Sequence, residues 1–566
     1  MTALSGVIAQ AGKASRSPYL TENLDAFAFY TQPCVGIPKL HMMARSVVSR
    51  LPVSTAPRKL KATHAGGYVF DFYHRIHVAP TSIDLGNIVS AQVTTVRVWN
   101  AYLHAHSITH VDGPEEGLEL TGPQAMPFTM PALKETDWLL AVTPDGPSVL
   151  DAYLRWVFAN AVPPTLHITA NRIVLWGFVP DWSLPVIERL SWLTEILANS
   201  RGAEQRRSLR IAPRKTYEAR FVAAGRERAL FDLAMAGWGR KVWAIPVWPD
   251  VQLLAAPVPA GSLRITCRTE GFDFRQGGLA MLRGETAFDT EAVEIADVDA
   301  TGLSLKRVTQ QSWPPQTRLY PVCIARLTAM PETTRRTDSL LETEASFDLA
   351  ESADWPAMLP TATYRGRPVV EGRPDESKDL THSYERLVLT LDNLTGLPAV
   401  TDTAGRGFVL HQHRWALAGR GAQAAWRSFM YGLRGRAIPV WVPTHAQDLQ
   451  LAEAAAGGLL KVHKVGYARF GLGTPGRRDI RIELIDGGVL YRRITAAVEN
   501  GPVEELSIDD DLPHTLQPED VARISYMALC RLASDDVELQ HLTDADGHAT
   551  AAVSWRGVRD DLEAPA

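Results

Sequence analysis

Three histidines crowd the stretch "HAHSITH": His104, His106 and His110. On a strand, His104 and His106 project to one face, a spacing able to chelate a metal ion. No carboxylate or cysteine stands beside them to complete a ligand set, and the competing reading is a polar strand at a solvated or interface surface. His411 and His413, in "HQH", pose the same choice. The stretch "GLGTPG" (471–476) satisfies Gly-x-Gly-x-x-Gly. Dinucleotide binding needs a helix to start there, yet the following "RRDIRIELID" alternates as a strand, so a hairpin loop is expected. "DDDLPHTLQPED" (509–520) is acidic enough for a calcium loop but lacks Gly at the sixth and Glu at the twelfth position, and Pro513 takes a ligand place. It reads as an acidic loop, and "DADG" (544–547) as a hairpin turn.

No Gly-x-Ser-x-Gly, His-Glu-x-x-His or P-loop occurs. Cys34, Cys267, Cys323 and Cys530 are far apart without a Cys-x-x-Cys, which predicts core residues and neither a disulfide framework nor a zinc site. The expectation is a chain that is not an enzyme, with no catalytic, cofactor or metal residue. Hydrolytic acid pairs carry no local signature, so a carbohydrate-active protein is the rival.

The elements that must hold these residues are read from pattern. The chain has 566 residues, 46% of them hydrophobic, enough for several packed domains. A net charge of −5 argues against a nucleic-acid protein. The Arg-rich "EQRRSLRIAPRK" (204–215) reads as a solvated or interface surface rather than a polyanion site. No signal-peptide pattern and no run of 18 apolar residues is present, so a cytosol-like compartment is expected.

A mainly β fold is predicted. Residues 1–84 read as an N-terminal arm with a β segment at 66–80. Alternating runs between turn residues over 85–184 read as a β-sandwich. Ile187, Leu190, Leu193 and Ile196 recur at helical spacing and predict a linker helix over 185–199.

Two β-rich, barrel-like modules with one helix each follow, at 185–330 and 370–566, joined by a Thr-, Glu- and Pro-rich connection at 331–369. They are read as a duplication because "AIPVW" occurs at Ala244 and again at Ala437. Ala224-Gly225-Arg226 recurs as Ala418-Gly419-Arg420, Gly239-Arg240 as Gly435-Arg436, and Asp250-Val-Gln-Leu as Asp448-Leu-Gln-Leu. On this alignment Pro246 matches Pro439 and Trp248 matches Trp441. The tryptophans are expected to be packed and the prolines to sit at a strand edge or entry. Residues 442–446, "VPTHA", become a loop insertion in the second copy only, which is expected to contact a different neighbour.

The run "WLTEILANSRGAEQRRSLRIAPRKTYEARF" (192–221), "FMYGLRGRAIPVWVPTHAQDLQLA" (429–452) and "RISYMALCRLASDDVELQHLTDADGHA" (523–549) resemble stretches of tail-tip and baseplate proteins of long-tailed bacteriophages. "VTTVRVWNAYLHAHSITHV" (93–111) resembles the immunoglobulin-like modules that decorate such proteins. The resemblance implies a structural virion component, assembled in the host bacterial cytoplasm, that links tail tube to hub and fibres. It also implies a homo-oligomer, a trimer with a pseudo-sixfold ring or a hexamer, with other tail proteins as partners. The alternatives are a carbohydrate-binding adhesin or depolymerase of the tail, with 93–179 as the binding sandwich, and a host-encoded scaffold unconnected with a virus.

Overall fold

The computed structural model describes residues 73–88, 92–114, 117–143, 149–377, 380–545 and 547–561. Most of the expected N-terminal arm, and Cys34 with it, lies outside the described residues. The protein is mainly β and divides into two compact units, Met1–Val174 and Leu175–Ala566.

The first unit layers two sheets. One holds Ile76–Ala79, Gln92–Asn100, Glu135–Val142 and Leu118–Thr121; the other holds Ser82–Ile88, Thr165–Arg172, Val149–Phe158, His106–Asp112 and Phe128–Met130. Period-2 alternation sends Val96, Val98, Trp138 and Leu140 from the first into one core with Ile108, Trp156, Leu166 and Ile168 from the second. Trp138 and Trp156 meet edge to face at 5.9 Å, a contact worth about 0.5–1.5 kcal/mol beyond burial.

The second unit contains one pairing scheme twice. Module 1 comprises β1 (Val186–Ser191), β2 (Arg214–Ala224), α1 (Gly225–Gly237), β3 (Val242–Pro246), β4 (Leu279–Arg283), β5 (Thr290–Asp299), β6 (Gly302–Leu305), β7 (Arg318–Leu327), β8 (Thr333–Arg335) and β9 (Leu340–Leu349). Module 2 comprises β10 (His382–Leu391), β11 (Ala399–Ala418), α2 (Gly419–Leu433), β12 (Val440–Pro443), β13 (Asp479–Leu484), β14 (Val489–Asn500), β15 (Val503–Ile508), β16 (Val521–Leu532), β17 (Asp536–His541) and β18 (His548–Gly557).

In module 1, β3, β4 and β9 pair with β7, β2 pairs with β9 and β1, and β8 pairs with β9. In module 2, β12, β13 and β18 pair with β16, β11 pairs with β18 and β10, and β17 pairs with β18. Even the register shift recurs, between Ile295 and Asp297 in β5 and between Ile494 and Ala496 in β14. A bulge bends the strand at one defined place, so its recurrence marks matching curvature. Neither module's sheet closes into a barrel.

The ladders correct three sequence expectations. Residues 186–191 form a strand where a helix was predicted: Val186, Glu188 and Leu190 alternate inward, and the inward glutamate hides the period-2 pattern. The 331–369 connection contains β8 and the central strand β9, whose inward Thr343 likewise masks the alternation of Leu341, Ala345 and Phe347. The pentapeptides also do not superpose. Arg318–Leu327 aligns with Arg523–Leu532 without a gap, Pro246 lies opposite Val322, and Pro443 lies opposite Met527, the counterpart of Val322. Pro246 thus corresponds to Pro443 rather than Pro439, and Trp248 to His445 rather than Trp441. Val442 and Pro443 belong to β12, so 442–446 is no loop insertion. Trp248 and Trp441 are both buried.

Candidate functional site

The seam between the modules is β1. One edge pairs with β2, placing Glu188 opposite Tyr217; the other pairs with β17 of module 2, placing Glu188 opposite Leu539. Glu188 is fully buried, forms an ion pair with Lys215 Nζ of module 1 at 2.9 Å, and hydrogen-bonds through Oε2 with Arg427 Nη2 at 2.7 Å and His541 Nε2 at 2.9 Å of module 2. Burial alone would raise its carboxyl, but Arg427, Lys215 and His541 together outweigh burial and hold it well below the usual carboxylate range. Beside it the buried Asp250 carboxylate accepts from Arg420 and from the backbone N–H of Asp273.

Arg420 and Arg427 project from one face of α2, and Gln423 between them donates to the Gly547 carbonyl. Stripping one partner from such a pair strands a charge without water and costs roughly 3–5 kcal/mol. The network therefore holds α2 against module 1 in one register.

A hairpin reinforces the seam. Strands Thr194–Ala198 and Glu204–Ser208 leave module 1 and lie on module 2. There Glu204 accepts from Arg531 at 2.7 Å and Arg556 at 2.6 Å, Thr194 Oγ1 donates to Asp535 at 2.7 Å, and Arg206 Nε donates to the Ala437 carbonyl at 3.2 Å. The sequence signal was the Arg-rich 204–215, and its interface reading is where these contacts fall.

The repeated register locates the same face on module 2. Tyr217 and His411 each precede their helix glycine by the same interval, and His382 faces His411 as Glu188 faces Tyr217. The counterparts of Glu188, Tyr217, Ala219 and Trp248 are thus His382, His411, His413 and His445, and Asp448 opens the second Asp-x-Gln-Leu. All five line a single open cavity of about 550 Å³, with Arg477 and Glu376 at its walls. Where module 1 is covered by α2, module 2 is open.

His382 and His411 approach through their Nδ1 atoms at 2.9 Å. His445 is 2% exposed, and neither ring nitrogen has a hydrogen-bond partner among the described residues. Burial, reinforced by neighbouring positive groups, pushes His411 and His445 down to about 3, and burial with His382 pushes His413 down to about 4. These rings are neutral at pH 7. Asp448 accepts from Thr444 Oγ1 and the Tyr526 N–H but has no cation partner among the described residues.

Of the residues singled out by sequence, His411 and His413 belong to this cavity, together with His382 and His445, which pattern alone did not flag. His104 and His106 rings lie 4.6 Å apart against Tyr102, and His110 pairs with Asp112 at 3.0 Å. No group of three metal-ligating side chains occurs among the described residues. The 471–476 glycines make turns between a short helix, Tyr467–Phe470, and β13. Cys323 and Cys530 are buried and Cys267 is half-buried, all three as free thiols. No helix among the described residues is long and apolar enough to cross a membrane. No family model matches this chain, and no curated protein matches it.

Proposed function

We propose that the protein is a structural, non-enzymatic ring component of a bacteriophage tail tip or baseplate, placed between the tail tube and the hub and fibres. In this reading its two modules are homologous copies of a barrel-like unit and its first unit is an immunoglobulin-like decoration. The observation that carries the proposal is the seam: two modules with one pairing scheme, joined edge to edge through β1 and β17. A joint between unlike edges of like modules is heterologous, and such joints make rings when the rotation closes. Three chains would then supply six similar positions above a threefold hub. The resemblance of 192–221, 429–452 and 523–549 to tail-tip proteins supplies the virion context.

Native mass measurement of the purified chain and of assembled tails tests this. Three copies with both modules around the axis are expected; six copies with one module peripheral overturn the pseudo-sixfold arrangement, and a chain that remains monomeric overturns the ring. The alternative, a carbohydrate-binding adhesin or depolymerase, predicts binding or hydrolysis of host polysaccharide by the purified protein.

A further inference from the structure

The seam uses one edge of each module and leaves the other two open. Among the described residues β10, the counterpart of β1, pairs with β11 alone, and β8, the counterpart of β17, pairs with β9 alone. Inside the chain β1 pairs with β17, and no β8 to β10 ladder exists among the described residues. The chain therefore ends in two complementary halves of a joint it already makes once.

The helices agree. α2 buries Arg420 and Arg427 against module 1, whereas α1 buries only Phe231 and leaves Arg226, Asp232 and Leu233 outward. Arg226 is the counterpart of Arg420, and Asp448 is the counterpart of Asp250, the carboxylate that Arg420 meets. Arg226 makes no ion pair among the described residues but lies over the Phe288 ring.

The hairpins agree as well. Module 2's counterpart of the seam hairpin is the arm 386–406, built by the ends of β10 and β11. Its Leu394 and Leu397 are 90% and 97% exposed, with Leu389 and Leu391 bare beside them. The module 1 surface that such an arm would cover carries Met330, 48% exposed, where module 2 has Asp535. An arm of exposed leucines would thus meet Met330, as the polar hairpin meets Asp535 within the chain. Exposed apolar clusters of this kind mark interaction sites, and an open strand edge is a template for pairing.

We infer that the open face of module 2, comprising the β10 edge, the histidine-lined cavity and the leucine arm, receives module 1 of a second copy of this chain, with β8 added to β10, α1 seated over the cavity and the arm laid across Met330. The inference rests on the ring proposed above and names its contact surface. The register follows from the seam: Ile187 faces Gln540, so Thr381 faces Thr334 of the neighbouring copy.

The test is a cysteine pair. Thr381→Cys and Thr334→Cys are both at exposed positions, and the double variant of the full chain, mildly oxidised, should give disulfide-linked oligomers on non-reducing gels, while either single variant should not. Leu394→Asp with Leu397→Asp should leave the circular dichroism of the monomer unchanged and abolish the oligomer. An oligomer that forms with no 381–334 cross-link, or that survives both arm substitutions, overturns this surface and leaves the ring proposal standing. A wild-type chain that is monomeric throughout overturns both.

Discussion

At the scale of single residues, the seam depends on buried charge. Glu188→Gln leaves Arg427 and Lys215 with half their compensation, and a loss of roughly 3–5 kcal/mol in urea unfolding is expected; a loss under 1 kcal/mol would show that the seam is held by its ladders instead. The cavity histidines set the acid response. His411, His413 and His445 have folded pKa values below that of the unfolded chain, so the unfolded state takes up protons first as pH falls. Their stabilisation is complete above about pH 6.5 and is lost on acidification towards about pH 4 for His413 and about pH 3 for His411 and His445, by up to about 1.4 kcal/mol per pH unit for each ring.

His382, Arg477, Arg481, Arg523 and Arg373 add positive charge around these rings, with Asp448 opposing them at His382. Glu188 contributes in the same direction lower down, being lowered in the folded state and protonated only below the usual carboxylate range. Replacing the rings by their module 1 counterparts, His411→Tyr, His413→Ala and His445→Trp, should flatten the unfolding midpoint between about pH 6.5 and pH 4. An unchanged slope would place the titrating groups elsewhere.

At the scale of elements, the repeated glycines have unequal work. Gly225 and Gly419 both turn strand into helix with φ of +55° and +79°, and a Cβ on either would meet nothing within 4 Å. Gly435 has φ +68° and in addition lies where a Cβ would be 2.7 Å from Trp192 Cβ, beneath the seam hairpin. Gly435→Ala should therefore cost about 1–3 kcal/mol more than Gly225→Ala in thermal unfolding, and equal costs would discount the close approach. Deleting 442–446 is expected to unfold module 2, because it removes half of β12 and the rungs of Val442 and Pro443 on β16. A folded monomer by circular dichroism after that deletion would contradict the register given above.

At the scale of the whole molecule, the two modules are not independent domains strung on a linker. β9, in the stretch expected to be a connection, is the middle strand of module 1, and β1 is shared by the sheets of both modules. Separating them would strip Glu188 of Arg427 and His541 on one side and leave Arg427 without its carboxylate on the other. Modules expressed apart should aggregate or unfold, and should yield a soluble complex only when produced together; two separately stable modules in gel filtration would argue that the seam is an interface of convenience.

Much was legible in the chain by itself because local physics writes it there. Strand alternation and one helix in each module follow from side-chain period, and the repeated Ala-Gly-Arg and Gly-Arg runs fall on either side of each helix. Residues paired across space leave no such trace. Glu188 and Thr343 looked like breaks in a strand because an inward polar residue makes sense only beside Lys215, Arg427 or the Glu332 carbonyl it binds. The pentapeptide match misled because five similar residues can slide by four along a strand, whereas hydrogen-bond register cannot slide without each residue leaving its rung. The gathering of His382, His411, His413 and His445 around one cavity, from three separate stretches of chain, was decided by the tertiary fold alone. Sequence neighbours share an element, but a site is made where elements cross.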